Sequence, residues 1–172
     1  MRETLLSGRL WVLQSDGRLL DDIDTDMIYH NEHLAVTEVS EMGKHALGNL
    51  EGYRDFAEKV ERGDMVLAGK NFGAGSSRQH AVDCFISLGV QAVLARSFGA
   101  IYKRNAINSG FPVMEVPEAT ADTFEHLNEV EVDLKRGLVS CGDTTLGGVP
   151  LSEVAMDIYR AGGLFEYAER MS

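Results

Sequence analysis

The period of the apolar positions changes several times along the chain, and each change marks an element. Met65–Ala68 is a short run without polar residues, the pattern of a strand buried on both faces. From Arg78 onward Ala81, Val82, Phe85, Ile86 and Leu88 recur at helical spacing, and Gly89 ends that helix. Residues 92–95 predict the next strand, 100–107 a helix stopped at Gly110, and 111–116 a strand broken by Pro117. The middle therefore reads β-α-β-α-β. Upstream, 8–13 predicts a strand, Ser15-Asp16-Gly17 a turn, 21–38 a polar irregular stretch, and 40–47 and 55–60 short helices. Downstream, 129–133 and 138–141 alternate apolar and polar about Lys135-Arg136-Gly137, a hairpin pattern. Residues 152–160 and 164–170 read as helices parted by Gly162-Gly163. The expected fold class is α/β: a mixed sheet, parallel in its middle, with flanking helices.

With 172 residues the chain is expected to form one domain, 1–172. Its net charge of −11 argues against a nucleic-acid partner, which needs a basic face, and against an anionic membrane. The two cysteines, Cys84 and Cys141, are too few for a disulfide framework or for an iron–sulfur cluster by themselves. Cys84 falls on the apolar helix face, as a small core residue would. The chain shows no signal-peptide pattern and no run of membrane-spanning length, so a cytoplasmic location is expected.

The candidate chemistry concentrates between the strand at 65–68 and the helix that follows, in Gly73-Ala74-Gly75-Ser76-Ser77-Arg78. Glycines let the backbone bend and approach a ligand closely. The first amides of a helix lack internal partners and favour an anion. Arg78 adds a planar fork suited to a carboxylate. The loop is not a phosphate-binding P-loop, since no Gly-Lys-Ser/Thr follows, and Arg78 stands where a dinucleotide fingerprint needs its third glycine. Neither serine is framed as a hydrolase elbow. Ser76, His80 and Asp83 share a helical face, but side chains stacked along one helix do not converge as a triad must. Helix capping accounts for one serine. It does not account for two glycines, two serines and an arginine together, which favours a small-anion site with a nucleophile or base.

Other clusters are less specific. Asp21-Asp22-Ile23-Asp24-Thr25-Asp26 fails the EF-hand pattern, with Met27 in the glycine position and His33 in that of the closing glutamate, so a solvated, capped loop is expected. Residues 97–108 follow a strand and open a helix, so their first turn lies at the same sheet edge as the glycine loop. Lys103-Arg104-Asn105 there is as compatible with a solvated face as with holding the site. The histidines at 30, 33, 45, 80 and 126 show no metal-ligand spacing, and His30 and His33 are not expected to line a cleft.

Asn71-Phe72-Gly73-Ala74-Gly75-Ser76-Ser77-Arg78-Gln79-His80-Ala81 resembles the active-site loop of the aconitase swivel domain, and most nearly that of the separate small subunits of 3-isopropylmalate dehydratase and homoaconitase. Leu20 through Asp26, Ala95-Arg96-Ser97-Phe98 with Tyr102 through Asn108, and Ala161-Gly162-Gly163-Leu164 fit the same pattern in the same order. The resemblance implies a swivelling β/β/α domain docked on a large subunit that carries a [4Fe-4S] cluster on its own cysteines. It implies that Ser76 is the alkoxide base, that Arg78 holds a substrate carboxylate with Ser77 beside it, and that Asp21 approaches the same cleft. It also implies that the isolated chain is inactive, because a serine alkoxide needs a dry, cationic site.

Two departures from the family pattern stand out. Gln79 replaces the usual glutamate. The segment Asn31 to Thr37 lacks the arginine found in members that read tricarboxylates, and Leu34, Ala35 and Val36 there would form an apolar pocket for a branched alkyl group. The expected substrate is 3-isopropylmalate, in leucine synthesis, ahead of homoaconitate and of 2,3-dimethylmalate or citramalate. A free-standing carboxylate-binding module is the alternative outside enzymes, and the failed glycine patterns disfavour a nucleotide-binding protein.

Overall fold

The computed structural model describes residues 1–172. The chain forms β1 (Leu5–Val12), β2 (Gln14–Ser15), β3 (Arg18–Leu19), α1 (Thr25–Ile28), α2 (Val39–Met42), α3 (Phe56–Lys59), β4 (Met65–Ala68), α4 (His80–Leu88), β5 (Val93–Ala95), α5 (Ala100–Asn108), β6 (Val113–Glu115), β7 (Glu129–Asp133), β8 (Leu138–Cys141), β9 (Thr144–Gly147), α6 (Glu153–Ala161) and α7 (Leu164–Met171). Two 3-10 turns, Asn31–His33 and Gly43–His45, complete it.

Seven strands form one sheet in the order β6-β5-β4-β1-β7-β8-β9. The first four are parallel, with Leu10 opposite Met65, Val66 opposite Val93 and Val93 opposite Val113. β7, β8 and β9 continue the sheet as an antiparallel meander. This is the expected mixed sheet. Successive residues of the parallel strands point to opposite faces, and both faces are apolar. Val66, Ala68, Val93 and Ala95 pack with Phe85 of α4 and Tyr102 and Ala106 of α5. Met65, Leu67, Leu94 and Met114 pack with Met156 and Tyr159 of α6 and with Val130, Val132 and Val139 of the meander.

The structure corrects several expectations. The helix expected over 40–47 is one turn of α-helix followed by a 3-10 turn that starts at Gly43. The stretch 21–38 is not irregular throughout, since Asp24 caps α1 by accepting from the Met27 amide. The expected turn at Ser15-Asp16-Gly17 is present, and it closes an unforeseen hairpin of two-residue strands, β2–β3, with positive φ at both Asp16 and Gly17. α4 begins at His80, two residues beyond the expected start at Arg78. The unforeseen β9 is a polar edge strand whose Thr144 and Thr145 are exposed.

Candidate active site

Strand order builds the site. β1, β4 and β5 are neighbours running the same way, so the segments leaving their C-terminal ends lie side by side. Residues 20–25 run alongside 69–74: Leu20 O accepts from Gly69 N (2.9 Å), Asp22 N donates to Lys70 O (2.8 Å), Gly73 N to Ile23 O (2.7 Å) and Thr25 N to Ala74 O (2.9 Å). On the other flank Phe72 N donates to Ser97 O (3.0 Å) and Gly99 N to Phe72 O (2.9 Å). Three stretches far apart in sequence are thus stitched into one platform. Gly73 has φ +79°, and a Cβ there would run into the Tyr102 ring. Gly75 has φ +101°. Both positions need glycine for backbone reasons.

Beyond this bend Ser76 and Ser77 are exposed. α4 has no side-chain cap, so the capping explanation for the serines does not hold. Ser77 Oγ accepts from Asn105 Nδ2 at 3.1 Å, whereas Ser76 makes no hydrogen bond within the chain. The helix-end amides are less free than expected: Ala81 N and Val82 N donate to the Arg78 and Gln79 carbonyls.

Arg78 is largely buried, with its side chain 13% exposed. Only Nη1 is engaged, donating to Asp26 Oδ1 (3.1 Å) and to the Tyr29 carbonyl (2.8 Å). Asp26 also accepts from Asn31 N (2.9 Å) and from Asn49 Nδ2 (3.2 Å). Desolvation pushes the Asp26 carboxyl up, but the Asn31 amide, the Arg78 guanidinium and the charge of His30 more than offset this and hold it below the usual carboxylate range. The guanidinium is therefore fixed on one side and free at Nε and Nη2, where a planar anion can meet it.

Asp21 lies on the platform but not against Arg78. Its Oδ1 accepts from Lys70 N at 2.6 Å, and the residue lines a cavity of about 370 Å³ with Arg18, Arg96 and Thr120. The carboxylate that meets Arg78 is Asp26, one of four in the same acidic run. Leu34 and Ala35 are exposed and Val36 is half-buried, so within this chain they form open apolar surface rather than a closed pocket. The Val36 carbonyl lies 2.8 Å from His80 Nε2, which ties the segment to the start of α4.

Histidines scattered in sequence converge here. The His33 and His45 rings stack with centroids 3.6 Å apart, and Tyr29 lies beside both of them and beside His80. No group of three or more histidine, cysteine, aspartate and glutamate side chains in the chain has the geometry to hold a metal ion.

The geometry adds Asp26 and Tyr102 to the site and decides for Asn105, of the Lys103-Arg104-Asn105 run, between a solvated face and a hold on the loop. The signal for Tyr102 and Asn105 was present: they lie at i and i+3 on one face of α5, and with Ser109 at the C-cap of that helix they meet the loop at Gly73, Ser77 and Gln79. Nothing in the sequence separated Asp26 from its acidic neighbours. Gln79 also finds a local reason, since Nε2 donates to Asp83 Oδ1 (3.0 Å) and Ser109 Oγ (2.7 Å). A glutamate there would oppose Asp83 instead.

The model of the aconitase C-terminal domain matches residues 20–119, the span that contains this platform. The chain is 42% identical over 87% of its length to the 3-isopropylmalate dehydratase small subunit of Caldicellulosiruptor bescii, covering 89% of that protein. It is 40% identical over 94% of its length to that of Aquifex aeolicus, covering 93%. The fold superposes on a crystal structure of 3-isopropylmalate dehydratase (leuD) from Methanocaldococcus jannaschii with a TM-score of 0.82, at 32% identity, over 97% of this chain and 95% of the other. The chain belongs to the aconitase C-terminal domain family, among the small subunits of 3-isopropylmalate dehydratase.

Proposed function

We propose that this chain, 1–172 as one unit, is the small subunit of a hydro-lyase that isomerises 3-isopropylmalate, working in the cytoplasm with a large subunit that carries a [4Fe-4S] cluster. The observation that carries the reading is a guanidinium anchored by one nitrogen and free at the others, two residues from an exposed serine with no partner. Relatives bearing the dehydratase name support it. The residues of this chain do not fit a cluster: Cys84 is fully buried and burial holds its thiol protonated, while Cys141 stands alone. When bound in the partner, the cluster supplies a Lewis acid for the departing hydroxyl.

This chain supplies the other side of the cleft. Arg78 binds a substrate carboxylate through Nε and Nη2, with Ser77 donating to it. That fixes the carbon–hydrogen bond at Ser76, whose alkoxide takes the proton and becomes a hydroxyl. Rehydration returns the proton at the neighbouring carbon. Leu34, Ala35 and Val36 cover the isopropyl group once the large subunit closes over them, and a third carboxylate would meet no cation there. Closure also excludes the water that would solvate Arg78 and weaken its field.

Anaerobic reconstitution with the large subunit tests the reading. Ser76→Ala should lose isomerisation by about 10²-fold or more, the scale of positioned acid–base catalysis. Full activity in that variant refutes the role of Ser76. A panel of 3-isopropylmalate, 2,3-dimethylmalate, citramalate and homoaconitate decides the substrate by kcat/KM. Tight binding of malates to the isolated chain in calorimetry would favour the free-standing module instead.

A further inference from the structure

We propose that Asn105 is a positioning residue of this site and acts through Ser77. The inference rests on the function proposed above and goes beyond it by naming the group that orients Ser77. α5 is fixed beneath the loop at its first turn. Gly99 N donates to Phe72 O at 2.9 Å, and Tyr102 is buried with its hydroxyl donating to the Ala81 carbonyl at 3.0 Å and its ring under Gly73. Three residues further along the same face, Asn105 Nδ2 donates to Ser77 Oγ at 3.1 Å.

The direction of that bond matters. A hydroxyl has one proton and two lone pairs, and an amide N–H occupies one lone pair. The proton of Ser77 therefore points away from the Asn105 amide, and because the residue is exposed, a ligand held by the neighbouring Arg78 can accept it. Ser77 becomes an oriented donor, complementary to a carboxylate oxygen, which only accepts. It is correspondingly a poor base. Ser76 carries no such bond and keeps its oxygen free to take a proton. Asn105 thus holds Ser77 in its binding role.

The reconstituted holoenzyme provides the test, as a double-substitution cycle in which Asn105→Ala and Ser77→Ala are made singly and together. Asn105→Ala should raise KM by about 5- to 10-fold, the scale of one hydrogen bond, with kcat changed by less than about 2-fold. In the Ser77→Ala background the same substitution should change KM by less than about 2-fold. Asn105→Asp should be worse than Asn105→Ala, because an acceptor draws the Ser77 proton inward. Equal effects of Asn105→Ala in both backgrounds, or a loss confined to kcat, would overturn the proposal. In the isolated full-length chain, the Asn105 side-chain amide protons should exchange more slowly than those of exposed Asn31, and Ser77→Ala should remove the difference. Exchange unchanged by Ser77→Ala also overturns it. A holoenzyme inactive on every malate would sink the functional reading, and the exchange experiment would still decide the hold of Asn105 on Ser77.

Discussion

Arg78 Nη1 lies 3.1 Å from Asp26 Oδ1 while the same aspartate accepts from the Asn31 amide. One carboxylate therefore fixes both the guanidinium and the turn that leads to Leu34. Asp26→Ala should cost on the order of 10- to 100-fold in kcat/KM, because misplacing a positioning group by an ångström is that expensive. Asp26→Asn, which keeps an acceptor oxygen, should lose less. An activity equal to wild type in Asp26→Ala would show that the Tyr29 carbonyl suffices to hold Arg78.

The bend before the serines depends on the absence of a side chain. Gly73→Ala combines a left-handed backbone with a collision against the Tyr102 ring, and should destabilise the chain by about 1–3 kcal/mol or more. Gly17→Ala is the control: φ is +74° there but nothing lies within 4 Å. Urea midpoints should fall further for Gly73→Ala than for Gly17→Ala.

Stability should decline on acidification in two stages. Burial holds His45 and His126 below the ordinary histidine value of 6.5, helped by His33 and Lys44 at the first and by Arg9 at the second. The unfolded chain takes up these protons as pH falls through that value and the folded chain does not, so stability drops there. Asp64 is desolvated, yet Arg9, the Glu61 amide and the Trp11 indole hold its carboxyl below 3.8, as the contacts of Asp26 do for that residue. Their contribution is present above 3.8 and is lost as pH falls through the lower folded values. Urea unfolding followed by Trp11 fluorescence from pH 7.5 to 5 should show the first stage. A flat midpoint across that range would contradict it.

Gln79→Glu restores the residue that the family pattern usually carries at this place. Here it sets two carboxylates at i and i+4, which costs about 0.2–0.5 kcal/mol, and it removes the donor to Asp83 and Ser109. Thermal unfolding should show a lower midpoint for Gln79→Glu and recovery in Gln79→Glu/Asp83→Asn.

Much of this fold was legible in the sequence because burial on two faces leaves continuous apolar runs and burial on one leaves helical periodicity. β4, β5, α4 and α5 follow those rules, and so does the hairpin of β7 and β8. β9 carries no such mark, since an edge strand is held by backbone pairing to β8 and its threonines remain in water. The start of α4 was displaced because Arg78 and Gln79 precede a helix whose first amides bond to them. The glycine loop announced a site through composition alone.

Which side chains complete that site was decided only by the tertiary structure. Arg78 and Asp26 are 52 residues apart in the chain, and Asn105 and Ser77 are 28 apart. The strand order β5-β4-β1 brings their loops to one edge. Four aspartates in one run look alike in sequence, and pairing of 20–25 with 69–74 turns Asp21 toward the Lys70 amide and Asp26 toward Arg78. Local sequence sets which residues form strands and helices, because that choice depends on period and burial. The meeting of distant polar groups depends on register between strands, and register is a property of the assembled sheet.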